Sequence, residues 1–175
     1  MSRAIRFAPL VLLVLLLAGL VWRLTTPVDT TVSSKLEGKP VPAFALPAAL
    51  PTKPALASAA LATGRPRILN FFASWCVPCI NEVRVLQGLK ARGVAIDGIA
   101  VRDTPADLSD FLARNGDPYE RIGSDAESKV QMALGSSGVP ESFIVDGRGI
   151  IRYQHIGPIE ARDVPMILDK LERAR

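Results

Sequence analysis

The sequence Asn70-Phe71-Phe72-Ala73-Ser74-Trp75-Cys76-Val77-Pro78-Cys79 contains both cysteines of the 175-residue chain and joins two predicted elements of secondary structure. Before the cysteines, Ile68 to Ala73 form a nearly continuous apolar run, which is typical of a strand buried on both faces. After them, four side chains recur at helical spacing: Glu82, Val83, Leu86 and Leu89. The cysteines therefore lie where a buried strand turns into a helix.

The first cysteine, Cys76, is predicted to be the nucleophile of a redox-active pair. At the N-terminus of a helix, unpaired backbone N–H groups and the helix dipole favour negative charge, so they lower the pKa of a thiol there. Cys79 lies one turn later, where it can attack a mixed disulfide at Cys76 and release the product. Pro78 falls in the first turn, where its missing N–H has no consequence and its fixed φ orients the two sulfurs.

Other uses of the cysteine pair fit the sequence less well. A structural zinc site needs four ligands, but the chain has no further cysteine and one histidine, His155. Covalent haem attachment requires a histidine directly after the second cysteine, where this chain has Ile80. A cysteine hydrolase would need His155 as its base, which the sequence permits but does not support. We therefore expect no metal ion and no cofactor besides the Cys76–Cys79 disulfide itself.

A structural disulfide in a non-catalytic scaffold is the main alternative to a redox role. Two cysteines in an exported domain can form a simple staple. A loop of two intervening residues, however, restricts the unfolded chain very little, so such a staple would add little stability. The redox interpretation is therefore favoured, and the scaffold stays open as the hypothesis from a different functional class.

The first residues of the chain have the pattern of a membrane signal. Residues 1–6 are basic, and an uninterrupted apolar run rich in Leu and Val follows from Phe7 to Trp22. A spanning helix needs about 20 residues, and because Arg23 can extend its charge toward the interface, a span over residues 7–26 is feasible. A cleavable signal peptide is the competing interpretation, but residues 19–23 form a poor cleavage site.

The charge distribution predicts the orientation of this segment. Positive charge precedes the apolar run, so residues 1–6 are expected in the cytoplasm and the rest of the chain across the membrane. Residues 27–37 are polar, with repeated Thr and Ser, and are predicted to be a tether. The formal net charge of +4 comes from scattered Lys and Arg with few aromatic residues, so we expect no nucleic-acid partner.

Residues 38–175 are numerous enough for one domain with a single core. Strands predicted at residues 67–73 and 94–101 flank a helix from about Cys76 to Ala91. This order indicates a βαβ unit with parallel strands and a right-handed crossover.

The remaining segments of the domain carry further helix and hairpin signals. Thr104-Pro105 begins a helix as N-cap and first residue, and another helix is predicted over Ser124 to Leu134. Two apolar runs around the turn at residues 146–149 indicate a β-hairpin, and residues 162–175 form a last helix. Residues 46–63, rich in Ala and Pro, are predicted to be a hairpin followed by a helical turn.

The order of these elements, with Trp75-Cys76-Val77-Pro78-Cys79 at the start of a helix, resembles the thioredoxin fold, an α/β fold with a central mixed β-sheet flanked by helices. Within that fold the chain resembles the membrane-anchored thiol:disulfide oxidoreductases of cytochrome c maturation, the DsbE/CcmG type. The resemblance covers almost the whole chain and includes three further motifs: Gly38-Lys39-Pro40-Val41-Pro42, Gly138-Val139-Pro140-Glu141-Ser142-Phe143 and Gly149-Ile150-Ile151-Arg152-Tyr153. It implies a single N-terminal transmembrane helix in the inner membrane and a catalytic domain in the periplasm.

The resemblance also implies roles for residues near the cysteines. Pro140 would be a cis-proline beside the pair, and the backbone groups of Val139 would pair with an extended substrate segment. Glu82 is similar to an acidic residue thought to tune the thiols, since negative charge beside a thiolate raises its pKa. Glu141 is similar to another acidic residue near the site and, with Val139 and Pro140, is expected to contact the substrate. Pro140 as an ordinary trans proline and Glu82 as a first-turn residue favoured by the helix dipole stay open as alternatives.

Two positions depart from the patterns of related proteins. Asn70 stands where general thioredoxins have a buried Asp that helps to move the proton of the second cysteine, and Asn cannot do so. The proton acceptor would then be Glu82 or water, or Asn70 would simply hold neighbouring backbone groups. Cytochrome-maturation members often carry Pro first between the two cysteines, where this chain has Val77-Pro78. Val-Pro also occurs in related anchored reductases of the same fold, so the dipeptide does not separate the two groups.

By resemblance, the client of such a protein would be the Cys-x-x-Cys-His disulfide of apocytochrome c, or a partner thiol protein in the haem-ligation pathway. A membrane thiol transporter would supply the electrons, because the surroundings keep oxidising the pair. A broader anchored reductase that serves copper-site assembly or other exported disulfides is the alternative within redox chemistry.

Overall fold

The computed structural model describes residues 12–19 and 36–175. The chain divides into two compact units, Met1–Val32 and Ser33–Arg175. The described part of the first unit, residues 12–19, is helical.

Most of the predicted membrane anchor lies outside these residues. Residues 1–6, much of 7–26 and nearly all of the tether at 27–37 are not among those described. Within the described ranges, no helix is both long enough and apolar enough to cross a membrane. The transmembrane helix and the boundaries around it therefore stay predictions.

Two short strands, β1 (Ala45–Leu46) and β2 (Leu56–Ala57), pair antiparallel in the Ala- and Pro-rich segment. A 3₁₀ helix over Ser58–Leu61 follows them directly. The predicted hairpin and helical turn are thus confirmed. Leu56 and Leu61 are fully buried, which explains how a segment without a clear period still packs against the domain.

A five-stranded sheet forms the centre of the Ser33–Arg175 unit. Its strands are β3 (Arg67–Phe72), β4 (Ala95–Val101), β5 (Ile122–Asp125), β6 (Glu141–Val145) and β7 (Ile151–Ile156). β3 is parallel to β4, and β4 to β5, whereas β6 is antiparallel to both β3 and β7. The predicted mixed sheet, βαβ unit and hairpin are confirmed, and β3, which leads to the cysteines, is the central strand.

Four helices accompany the sheet within residues 36–175, namely α1 (Val77–Ala91), α2 (Pro105–Asn115), α3 (Lys129–Ala133) and α4 (Val164–Arg173). Thr104 caps α2 by accepting a hydrogen bond from the backbone N–H of Asp107, as its position before Pro105 predicts. The predicted last helix is α4, within residues 162–175.

The helix predicted over Ser124 to Leu134 is wrong in its first half. Ser124 and Asp125 belong to β5, where they pair with the end of β4, and the N–H of Ser124 also donates to Pro47. Ser128 has a left-handed backbone with φ 56°, which helices of L-residues do not accommodate, so α3 begins only after it. Pairing with β4 and with Pro47 therefore overrides the local helical pattern.

The two faces of the sheet pack into separate apolar clusters. Side chains of β3 alternate between them: Ile68 and Phe72 join the cluster that contains both cysteines, while Leu69 and Phe71 join the other. The cysteine face is covered by α1, α2 and α4, through residues such as Leu86, Phe111 and Ile167. The redox candidates are therefore held on the densely packed, helix-covered face.

Candidate active site

The cysteine pair lies at the N-terminus of α1, as the sequence predicts. Cys76 is the N-cap residue, and its Sγ accepts a hydrogen bond from the backbone N–H of Cys79 at 3.2 Å. The two sulfurs form a disulfide, so the structure describes the oxidised protein. Only 4% of Cys76 and 1% of Cys79 are exposed. After reduction, the same N–H group can stabilise a thiolate at Cys76, because it points at that sulfur.

A carboxylate from the neighbouring strand fixes the loop before the cysteines. Asp103 follows β4 and accepts hydrogen bonds from the N–H and the hydroxyl of Ser74, both at 2.6 Å. The indole N–H of Trp75 donates to the carbonyl of Arg102, at 3.3 Å. Asp103 was missed in the sequence. Its position after a strand is a usable signal, because the carboxyl ends of adjacent parallel strands meet at one edge of a sheet.

Glu82 is buried on α1, three residues after Cys79. Only 1% of it is exposed, and its carboxylate accepts hydrogen bonds from the N–H of Ile159 at 2.9 Å and from Nδ2 of Asn70 at 3.1 Å. Burial raises the pKa of Glu82 from 4.5 to about 7, although these two hydrogen bonds act in the opposite direction. The alternative of a first-turn residue favoured by the helix dipole is wrong, since α1 begins at Val77 and Glu82 lies in its second turn.

Asn70 organises the polar groups around Glu82. Its amide Nδ2 also donates to Oγ of Ser142 at 3.0 Å, and its Oδ1 accepts from the hydroxyl of Tyr119 at 2.8 Å. The amide of Asn70 therefore holds side chains from α1, β6 and the loop before β5 rather than neighbouring backbone groups. Tyr119 and Ser142 were missed in the sequence, because a buried Tyr and a strand Ser carry no distinctive spacing.

The Val139–Pro140 peptide bond is cis. β3 is antiparallel to β6 and Phe71 pairs with Glu141, so Pro140 lies next to the end of β3, where the cysteine loop begins. The carbonyl of Pro140 accepts a hydrogen bond from Gly157. Within residues 36–175, neither the backbone N–H nor the C=O of Val139 makes a hydrogen bond.

Glu141 lies on the other face of the sheet from Glu82. The next residue, Ser142, points to Asn70 on the cysteine side, so Glu141 points away from that side. Its carboxylate accepts hydrogen bonds from Ser136, Ser137 and Gln154, and 1% of the residue is exposed. The structure therefore does not bring the two glutamates together.

Exposed apolar side chains surround the disulfide. Trp75 is 58% exposed, Val77 68% and Ile80 40%. A cavity of about 330 Å³ opens beside them, between Pro78 and Val85 of α1 and the loop before α4. Apolar surface of this kind next to a reactive group is suited to contact with another polypeptide.

His155 has a structural environment. Its Nε2 is 3.3 Å from the carbonyl oxygen of Pro158 and 3.9 Å from a carboxylate oxygen of Asp163. Over the described part of the chain, no three His, Cys, Asp or Glu side chains cluster as metal ligands. Neither a Cys–His hydrolase nor a metal centre gains support from this geometry.

Comparison with known proteins identifies the chain's relatives. The redoxin family model matches residues 36–171. The thiol:disulfide interchange protein DsbE of Tatumella citrea is 37% identical over 165 residues, which cover 92% of this chain and 89% of that protein. The thiol:disulfide interchange protein HelX of Rhodobacter capsulatus is 34% identical over 171 residues, with 98% of this chain and 97% of that protein covered.

A solved structure supports the same assignment. The thiol:disulfide interchange protein of the thioredoxin family from Chlorobium tepidum superposes with a TM-score of 0.58 at 25% identity, covering 75% of this chain and 94% of the other. The strand order, the cysteine pair at a helix start and these relatives agree in indicating a thioredoxin-like domain. The chain belongs to the redoxin family, as a protein thiol:disulfide oxidoreductase of the DsbE type.

Proposed function

We propose that this protein is a membrane-anchored reductant of disulfides in c-type cytochrome maturation. The main support for the proposal is a disulfide at the N-terminus of α1, with the buried Glu82 on the same helix and its pKa raised to about 7. Support for the pathway comes from the DsbE-type relatives and from the Gly138 to Phe143 motif. No cofactor besides the cysteine pair is required by this chemistry.

Cys76 is proposed to act as the nucleophile. As a thiolate, it attacks one sulfur of the client disulfide, so that a mixed disulfide forms and the other client sulfur leaves as a thiolate. Cys79 then attacks Cys76 of the mixed disulfide, which releases the second client thiol and restores the Cys76–Cys79 disulfide. Two electrons pass from the protein to the client, and a membrane thiol transporter returns two electrons to the protein.

Glu82 is proposed to accept the proton of Cys79 in the second step. The two residues are three positions apart on α1 and both are buried, so their side chains share one face of the helix. A base with a pKa of about 7 can both take and release a proton near neutral pH. Asn70, which stands where general thioredoxins have an Asp, positions this carboxylate through its amide.

The client is proposed to bind as an extended segment across the disulfide. The free N–H and C=O of Val139 would pair with its backbone, next to Pro140 and opposite the exposed side chains of Trp75 and Val77. The proposed clients are the Cys-x-x-Cys-His disulfide of apocytochrome c and a thiol protein of haem ligation.

The proposed location is the inner membrane, with the domain in the periplasm. The apolar run from Phe7 to Trp22 after a basic N-terminus supports a single span over residues 7–26. An oxidising compartment also explains why the pair needs a dedicated electron donor.

Trapping of the mixed disulfide tests this function. In the full-length Cys79→Ser protein, the disulfide between Cys76 and its client cannot be resolved, so it should persist in cells that make c-type cytochromes. Mass spectrometry should identify an apocytochrome c or a haem-ligation thiol protein as the captured partner. The matched control carries Cys76→Ser as well and should capture nothing. Capture of copper-site proteins alone would contradict the proposed pathway while leaving the exchange mechanism intact.

A further inference from the structure

The three residues before Val139 form a loop, residues 136–138, that is held by hydrogen bonds from two sides. Glu141 binds the loop from β6, and Gln131 binds it from α3. Both side chains lie outside the redox network of Asn70 and Glu82. The hydrogen bonds of Glu141 and Gln131 keep the loop before Val139 in place.

Glu141 accepts four hydrogen bonds, three of them from this loop. One carboxylate oxygen accepts from the hydroxyl of Ser136 at 2.9 Å, and from the N–H and hydroxyl of Ser137 at 2.8 and 3.2 Å. The other oxygen accepts from Nε2 of Gln154. Each carboxylate oxygen has about two acceptor positions, so the oxygen that binds the loop is fully occupied. The other oxygen keeps one position, but a client cannot reach it because only 1% of Glu141 is exposed.

No cation balances Glu141 among the ion pairs of residues 36–175, and only 1% of it is exposed. A buried carboxylate is stable in such a place only when hydrogen bonds replace the lost water. The loop donors are therefore what retains Glu141, and Glu141 in turn fixes the loop. The Glu141 carboxylate and the loop at residues 136–138 therefore stabilise each other, directly before Val139.

Gln131 holds the same loop from the opposite flank. Its Nε2 donates to the carbonyl of Gly138 at 3.1 Å, and the hydroxyl of Ser136 lies at the same distance from that oxygen. The backbone N–H of Gln131 donates to Asp125 at the end of β5, at 2.9 Å. The loop is thus connected through α3 to the central sheet.

We infer that Glu141 and Gln131 are positioning residues that hold the loop at 136–138 so that the free backbone groups of Val139 are presented to a peptide client. This inference rests on the proposed function and deepens it. It replaces the expectation that Glu141 contacts the substrate: Glu141 acts through Val139 and has no contact with the client.

Two substitutions separate positioning from direct contact. Glu141→Gln replaces an acceptor oxygen with a donor NH₂ group that cannot bind the N–H of Ser137. Gln131→Ala removes the bond to Gly138 without any change of charge. If both residues act through the loop, both variants should show the same defect, and the double variant should lose less than the product of the two single losses.

The experiment uses full-length protein in detergent, reduced beforehand, in single turnovers. We measure the rate constant for a Cys-x-x-Cys-His peptide disulfide and for hydroxyethyl disulfide, which has no peptide backbone. Each variant should reduce the peptide about tenfold more slowly, the effect of one or two weakened hydrogen bonds. The rate with hydroxyethyl disulfide and the reduction potential should stay unchanged. The control is Glu127→Gln, at an exposed glutamate close to α3 in the sequence.

Several outcomes would overturn the inference. Equal losses with both disulfides would indicate a general structural defect, and an effect of Glu141→Gln that depends on peptide charge would indicate direct contact. Unchanged peptide rates in both variants would also refute it. If Glu141→Gln does not fold, Gln131→Ala alone decides, because that side chain is only half-buried. If the wild-type protein reduces the Cys-x-x-Cys-His peptide no faster than an unrelated peptide disulfide, the proposed function fails, and positioning is then tested with that second peptide.

Discussion

Glu82 and Glu141 are buried to the same extent, on opposite faces of one sheet, yet they have different surroundings. Glu82 accepts two hydrogen bonds, from a backbone N–H and an amide, and lies on the helix of the cysteines. Glu141 accepts four, all from the loop before Val139 and from the neighbouring strand. Equal burial is therefore combined with different numbers of donors, and we propose different roles for the two carboxylates.

Both glutamates are proposed to serve the reaction that begins with the attack of Cys76 on a client disulfide. Loss of that attack should therefore have the largest effect on activity. Cys76→Ser removes the nucleophile that both are proposed to serve, and reduction of a peptide disulfide should fall to the uncatalysed rate. The measurement is turnover of the full-length protein with a thiol electron donor. Undiminished activity in Cys76→Ser would show that the chemistry does not begin at this sulfur.

Glu82→Gln should slow the second chemical step and not the first. Without a proton acceptor, attack by Cys79 on the mixed disulfide should be about 100-fold slower at pH 7, the usual scale of general-base catalysis. Acid quenching followed by mass spectrometry should show the mixed disulfide accumulating. Glu141→Gln is the matched control and should resolve the mixed disulfide at the wild-type rate. Equal resolution rates in the two variants would remove the proposed difference between the glutamates.

The raised pKa of Glu82 also predicts a pH dependence of stability. Between pH 4.5 and about 7 the folded protein retains a proton that the unfolded chain releases, so the free energy of unfolding should fall as pH rises. One pKa unit corresponds to about 1.4 kcal/mol, which gives a loss of about 3 kcal/mol over this window. Urea unfolding of the oxidised protein at several pH values measures it. Glu82→Gln should lack this loss, and an identical slope in both proteins would contradict the assignment.

Tyr119→Phe should have the smallest effect, a lower free energy of unfolding caused only by the loss of its hydrogen bond to Asn70. The substitution removes the hydroxyl that donates to Oδ1 of Asn70 and leaves that buried oxygen without a partner. The expected loss is about 1–2 kcal/mol in the free energy of unfolding, because a buried acceptor then lacks a hydrogen bond. Peptide binding, which is proposed to depend on Val139 and the loop at residues 136–138, should not change. A large change in the peptide rate would show that the two regions are coupled.

The elements around the cysteines follow closely from the sequence, because short-range signals determine them. A continuous apolar run gives β3, and Pro78 with helical spacing gives α1, so both cysteines are placed correctly. The helix predicted over residues 124–134 is wrong in its first half, because pairing of β5 with distant segments outweighs local preference. Long-range contacts of that kind leave no periodic signal.

The candidate site divides in the same way. Cys76 and Cys79 could be singled out from their spacing at the junction of a strand and a helix, whereas Glu82 and Asn70 could be singled out only through the resemblance to related proteins. Tyr119 and Ser142 join the site only through folding and could not be distinguished from ordinary core and strand residues, whereas the position of Asp103 at the end of a parallel strand is a usable signal. The surroundings of Glu141 likewise depend on a loop whose hydrogen bonds cannot be deduced from residue spacing.

The central claim is that Glu82 is the proton acceptor of the site, and its pKa can be measured directly. Carbon-13 NMR of the oxidised full-length protein in detergent, labelled at glutamate carboxyl carbons, follows each group against pH. We predict one carboxyl signal that titrates near pH 7 and is missing in Glu82→Gln. Titration of every glutamate near its ordinary value of about 4.3 would contradict the account.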